Sequence, residues 1–185
     1  MSFPLLALDP VFLLLVRLGL AVLFLAGALH KVRDLERFTA TVRDYQIIAG
    51  SLSRPAAIGL AVAEAGVGLG LLLPSLDPLG SVGAALLLGL YGGAIGLNLA
   101  RGRRHIDCGC LGFARGQSIS GWLLVRNAGL AALGFLLLVP DLPRAMGWVD
   151  LFSVAAGLAM AVLLWLAAHS LSGAALSPRP TGEGS

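Results

Sequence analysis

The sequence predicts an all-α protein: a polytopic membrane helix bundle of about five transmembrane helices, with one amphipathic helix lying at the interface. Three observations predict it. Of the 185 residues, 57% are hydrophobic and only 12% are charged, and the mean hydropathy is +0.89, well outside the composition of an ordinary soluble domain. Apolar runs near the length that spans a hydrocarbon core, roughly 20 residues at about 1.5 Å each, recur along the chain. The basic residues sit in short connections between those runs, as flanking anchors do. The net charge of +3 and the pI of about 9.4 therefore point to the lipid bilayer and not to nucleic acid.

The predicted spans are 10–29, 55–73, 79–98, 118–139 and 148–169. Prolines at 10, 55, 78, 140 and 143 stand at or beside their ends, where the missing amide hydrogen does little harm. No basic n-region precedes the first run, which continues into an Arg-bearing helix, so the expectation is a retained span and not a cleaved signal peptide. Between the first two spans, residues 34–49 place Leu35, Phe38, Val42, Tyr45 and Ala49 at helical spacing, with Glu36, Arg37, Arg43 and Asp44 between them. This is an amphipathic helix, too short and too charged to span. It is expected flat on the surface, on the same side as the third connection, where it would roof that loop. Residues 74–78 read as a tight turn. Glycines inside the second and third spans, among them Gly59, Gly68, Gly70 and Gly83, are read as allowing close helix contact. Residues 171–185 read as a disordered tail, which leaves 1–170 as the transmembrane domain.

The third connection holds the chemistry. It reads Arg101-Gly102-Arg103-Arg104-His105-Ile106-Asp107-Cys108-Gly109-Cys110, and it contains both cysteines of the protein. A disulfide between Cys108 and Cys110 closes a very small ring, and strained disulfides are easily reduced, so the pair is read as an exchanging dithiol and not a staple. Arg101, Arg103 and His105 favour the nucleophilic thiolate by their charge; Asp107 works against that as a charge but can accept a proton. Two sulfurs and one histidine fall short of the four ligands of a structural zinc site, so no metal site is assigned.

Charged groups inside spans are costly and mark function or a structural pair. Glu64 and Arg126 lie at similar depths from the loop side, about 14 Å and about 12 Å at the helical rise per residue, and are expected to pair. Arg17 enters from the opposite face and is the weaker partner. A quinone is a candidate ligand for the polar pair, and no cofactor is otherwise indicated. Lys31 reads as a snorkelling anchor. His30 reads as an interfacial residue whose ordinary pKa also suits a proton relay beside the thiols. Ten basic residues outside the spans share the side of the cysteine loop, and only Arg144 lies opposite. The positive-inside rule then puts that loop in the cytoplasm.

Gly27-Ala28-Leu29-His30-Lys31 with Phe38 and Tyr45, then Glu64, then Arg101-Gly102-Arg103 with Asp107-Cys108-Gly109-Cys110-Leu111-Gly112, then Arg126-Asn127 resemble the MauE family of methylamine-utilisation membrane proteins, which are related to DoxX-like redox-associated proteins. The likeness runs from about residue 10 to residue 139. It differs at Leu111, where a phenylalanine is common. The resemblance implies a DoxX-like four-helix core and a multi-pass protein of the cytoplasmic (inner) membrane. It also implies a role in maturing an exported, disulfide-containing client, the small subunit of methylamine dehydrogenase in the name-giving case, by disulfide formation or exchange beside a thioredoxin-like partner. Such a client suggests thiols on the periplasmic side, against the charge rule. Two other readings compete with a thiol–disulfide oxidoreductase: a thiol carrier for a soft metal ion, and a non-catalytic assembly factor.

Overall fold

The computed structural model describes residues 8–103, 106 and 119–174, with side chains in the last helix given as far as Leu164 and at Ala167. Among the described residues it is a helical bundle whose helices are α1 (Pro10–Arg33), α2 (Leu35–Asp44), α3 (Ser53–Leu72), α4 (Asp77–Ala100), α5 (Gly121–Leu136) and α6 (Trp148–Ala174). Short 3₁₀ turns, Gly50–Leu52 and Pro74–Leu76, lead into α3 and α4. Three helices are long and apolar enough to cross a membrane, Pro10–Arg33, Gly50–Leu72 and Pro74–Ala100. The stretches Gly121–Leu136 and Trp148–Leu164 are shorter apolar helices.

The ends of the helices follow from local chemistry. Asp9 caps α1, its carboxylate accepting from the Val11 amide at 2.8 Å, and Pro10 opens the first turn, where no amide hydrogen is needed. Asp34 ends α1 and begins α2, donating its amide to the His30 carbonyl and accepting from the Arg37 amide. α1 therefore runs past the expected end at residue 29. α2 stops at Asp44, short of the expected 49, because Gln46 turns to a left-handed φ of 48°. α5 begins three residues later than expected, since Ile119 is engaged in the loop base described below, and α6 continues to Ala174, beyond the expected start of the tail.

α1 packs along α3, α3 along α4, α4 along α5, and α6 on the outside of α1, while α2 lies on α3. The main core joins Leu13, Leu20 and Phe24 of α1 to Leu71 of α3 and Leu88 of α4. Gly80 is the tight point between α3 and α4: a Cβ there would stand 2.7 Å from the Leu71 backbone nitrogen. Gly59, expected to mediate close contact, faces open space. Large apolar side chains such as Val62, Leu69, Leu86 and Val125 are exposed, as suits a surface whose solvent is hydrocarbon.

On the face opposite the cysteine loop, residue 8 pairs with the α5–α6 connection. The Leu8 amide donates to Pro140 and the Leu142 amide to Leu8, at 3.2 and 2.9 Å. Arg144 bridges both acids nearby, with paired bonds to Asp9 (3.1 and 3.2 Å) and to Asp150 (3.0 Å each). The Arg144 guanidinium and then the Val11 amide hold the Asp9 carboxyl below its ordinary range, and the Asp150 and Asp9 carboxylates raise Arg144 further above its own.

Candidate functional site

The candidate functional layer lies where α1 ends, α2 lies across the bundle, α4 ends and α5 begins. α4 stops in a hydrogen-bonded cap. The Arg103 amide donates to the Asn98 carbonyl and the Gly102 amide to the Leu99 carbonyl, both at 3.0 Å, with Gly102 at φ +73°. This is the Schellman arrangement, in which the left-handed residue is best a glycine. The Arg-Gly-Arg spacing is thus a helix terminus, and it sends both flanking arginines the same way. Arg101 donates to the Gln46 carbonyl and Arg103 to the Asp44 carbonyl, each at 3.4 Å. Those carbonyls close the C-terminal end of α2, which carries partial negative charge. The arginines that the sequence reading aimed at the thiols therefore also latch α2 to the root of the loop.

The loop is pinched at its base. The Ile119 amide donates to the Ile106 carbonyl at 3.0 Å, and Ile106 and Ile119 pack with Ile95 and Leu123, with Tyr45 and Leu99 against them. The predicted residues Cys108, Cys110, Asp107 and His105 lie outside the described residues; Ile106, two positions before Cys108, is the nearest described point on that side.

Beneath this layer sits a buried ionic cluster different from the expected one. Glu64 accepts two bonds from the Lys31 ammonium, at 2.8 and 2.9 Å, and a third from the Tyr91 hydroxyl at 2.6 Å. Lys31 is only 1% exposed, and its Nζ lies 5.0 Å from the Phe38 ring centre and 5.6 Å from that of Tyr91. The snorkelling reading of Lys31 is corrected: it points inward. The expected Glu64–Arg126 pair is corrected too. Helical side chains lean toward their own N-terminus, and α1 and α3 run antiparallel, so Lys31 leans into the bundle while Glu64 leans up toward it. Depth along the helices was no guide to azimuth. Arg126 is half-buried on α5, with its Nε finding no hydrogen-bond partner among the described residues. Arg17 pairs with Asp77 at the opposite face, where Asp77 also accepts from Ser81. His30 is half-buried in the last turn of α1, next to Lys31.

Tyr91 was missed in the sequence, although a signal for the whole cluster was present. Buried residues on α1 run Leu20, Phe24, Gly27, Lys31; on α3 Ala57, Ala61, Glu64, Gly68; and on α4 Leu88, Gly92, Ile95. Lys31 and Glu64 continue the buried stripes of their helices, and Tyr91 lies one turn from Leu88 and Ile95 on its own.

A cavity of about 390 Å³ opens above the cluster, between α2, α3 and α4, with Phe38 and Tyr45 from α2, Gly59 from α3, and Tyr91 and Ile95 from α4 among its walls.

A family model described as "Methylamine utilisation protein MauE" matches residues 9–140. The chain is 38% identical over 181 residues to the "Methylamine utilization protein MauE" of Paracoccus denitrificans, covering 95% of this chain and 96% of the relative. It is 42% identical over 168 residues to the protein of that name in Methylorubrum extorquens, covering 89% of each, and 36% identical over 158 residues to the one in Methylophilus methylotrophus, covering 85% and 83%. No solved structure matches. With well over half of the chain matched by the family model and these identities holding along nearly its full length, the chain belongs to the MauE family, as a multi-pass membrane protein.

Proposed function

We propose that this protein is a thiol–disulfide exchange protein of the cytoplasmic membrane that supports the maturation of an exported, disulfide-containing enzyme of methylamine use. Cys108 and Cys110 are its reacting pair. One thiolate attacks the disulfide of a thioredoxin-like partner to give a mixed disulfide, and the other thiol resolves it, so that the partner leaves as dithiol and the protein carries the disulfide. Arg101, Arg103 and His105 supply positive charge near the pair, Asp107 accepts a proton, and His30 with Lys31 and Glu64 supports the layer below.

The observation that carries this reading is the pinched loop. The chain's two cysteines fall in a segment whose flanks, Ile106 and Ile119, are joined by a backbone hydrogen bond and bedded in one apolar cluster. Such a base ties together the two ends of the stretch in which both cysteines fall. The names of the relatives, which speak of methylamine utilisation, supply the physiological setting.

Complementation tests it. A strain lacking the protein and given the Cys108→Ser/Cys110→Ser double variant fails to mature the client, while the variant accumulates in the membrane at the normal level. Full maturation by the cysteine-free protein overturns the exchange reading and leaves an assembly factor.

A further inference from the structure

Three arginines gather at the C-terminal end of α2. Arg101 and Arg103 donate to the Gln46 and Asp44 carbonyls, each at 3.4 Å, and Arg43, one position before Asp44, is exposed. We propose that this corner binds the phosphate of an anionic phospholipid, with the exposed aliphatic side chains Ile47, Ile48 and Leu52 seated on that lipid's hydrocarbon. The site stands independently of the thiol-exchange reading.

The first argument is charge. Lys31 is neutralised by Glu64, Arg17 by Asp77, and Arg144 by both Asp9 and Asp150. Among the described residues, Arg43, Arg101 and Arg103 form no ion pair, not even with Asp44 beside them, and the other acid of α2, Glu36, stands 3.7 Å from Arg54. A backbone carbonyl holds a guanidinium in place without cancelling its charge. Arg101 and Arg103 each give one N–H to such a carbonyl, which leaves most of the five donors of each fork for an anion. Phosphate suits that fork, since its oxygens accept two parallel N–H bonds from one arginine. The left-handed turn at Gly102 sends both flanking arginines to this one place.

The second argument is depth. Of the helices long and apolar enough to cross a membrane, one ends at Ala100, next to Arg101, and another begins at Gly50, beside Leu52. The corner therefore stands where helices leave the hydrocarbon, at the level of the head groups. Ile47, Ile48 and Leu52 are 45%, 38% and 55% exposed there, which is unfavourable in water and not among acyl chains. Phosphate-binding charge and bare hydrocarbon side by side match the two halves of one phospholipid. An acidic soluble protein supplies anions to the arginines without the hydrocarbon.

The test uses the purified full chain in a neutral detergent, with equilibrium binding as the readout. The probes are dioctanoyl phosphatidylglycerol, dioctanoyl phosphatidylcholine, inorganic phosphate and hexaglutamate. Phosphatidylglycerol is expected to bind saturably, at least tenfold more tightly than each of the others, and more weakly as salt is added. Arg43→Gln, which removes no hydrogen bond or ion pair among the described residues, is expected to weaken it about fivefold. Adding Arg101→Gln and Arg103→Gln is expected to take the loss beyond tenfold, and Ile47→Asn with Ile48→Asn to weaken it several-fold. Equal affinity for the two lipids, unchanged affinity in Arg43→Gln, or binding of phosphate or hexaglutamate as tight as that of phosphatidylglycerol overturns the site. Arg43→Gln leaves the Arg101 and Arg103 contacts to α2 in place, so the test stands even if the triple variant does not fold.

Discussion

Lys31 of α1 and Glu64 of α3 form a bidentate ion pair in the interior of the bundle, at 2.8 and 2.9 Å, with both side chains under 5% exposed. A pair taken out of water on both sides costs desolvation that its attraction only partly offsets, and loss of one member leaves the other charge uncompensated. Glu64→Gln or Lys31→Met is therefore expected to destabilise the protein by about 3–5 kcal/mol, and Lys31→Met with Glu64→Leu by much less than the sum. Thermal unfolding in detergent of the two singles and the double, read as a double-mutant cycle, checks the coupling.

Tyr91→Phe removes one hydrogen bond to a charged acceptor while keeping the ring beside Lys31. The expected loss is about 2 kcal/mol, in the range of bonds to charged groups. The same unfolding measurement checks it, and an unchanged stability would mean that the 2.6 Å contact contributes nothing net.

Gly102 stands at φ +73°, where a Cβ costs roughly 1–2 kcal/mol. Gly102→Ala is expected to loosen the cap of α4 and with it the Arg101 and Arg103 contacts to α2. Hydrogen exchange should rise at the amides near Tyr45 and Gln46 and stay unchanged in the middle of α3. Arg101→Ala with Arg103→Ala should give the same pattern with the α4 cap intact.

On the opposite face the clamp at Arg144 has a pH signature. The folded Asp9 carboxyl titrates below its ordinary value of 3.8, so its contribution is fully present above that value and is lost as the pH falls through the lower, folded pKa. Arg144 stays charged throughout. The protection of the Leu8 and Leu142 amides, taken as exchange relative to the intrinsic rate at each pH, is expected to fall from pH 5 down to pH 2.5, and Asp9→Asn to remove that fall.

The apolar runs and the period of residues 34–49 were enough to place the helices and the surface helix, because burial in a membrane bundle repeats along the chain. The ion pairs were not legible from depth alone. Glu64 and Arg126 lie at matching depth, yet which residue meets which depends on the rotation of each helix and on the lean of its side chains, and only the buried stripe through Leu20, Phe24 and Gly27 hints that Lys31 turns inward. Arg101-Gly102-Arg103 was visible as a motif while its role was not: a helix cap becomes evident only when the Asn98 and Leu99 carbonyls are seen to receive the next two amides. The cavity is wholly tertiary, since its walls come from three helices and the α2–α3 connection, from Phe38 to Ile95 along the sequence.

The central claim is that Cys108 and Cys110 exchange with a thioredoxin-like protein, and trapping the intermediate tests it most directly. Cells carrying Cys108→Ser or Cys110→Ser are quenched in acid, alkylated and resolved without reductant. One single variant is predicted to accumulate a reductant-sensitive adduct containing a thioredoxin-like protein, and the double variant none. Absence of any such adduct from both single variants, present at normal levels in the membrane, would contradict the account.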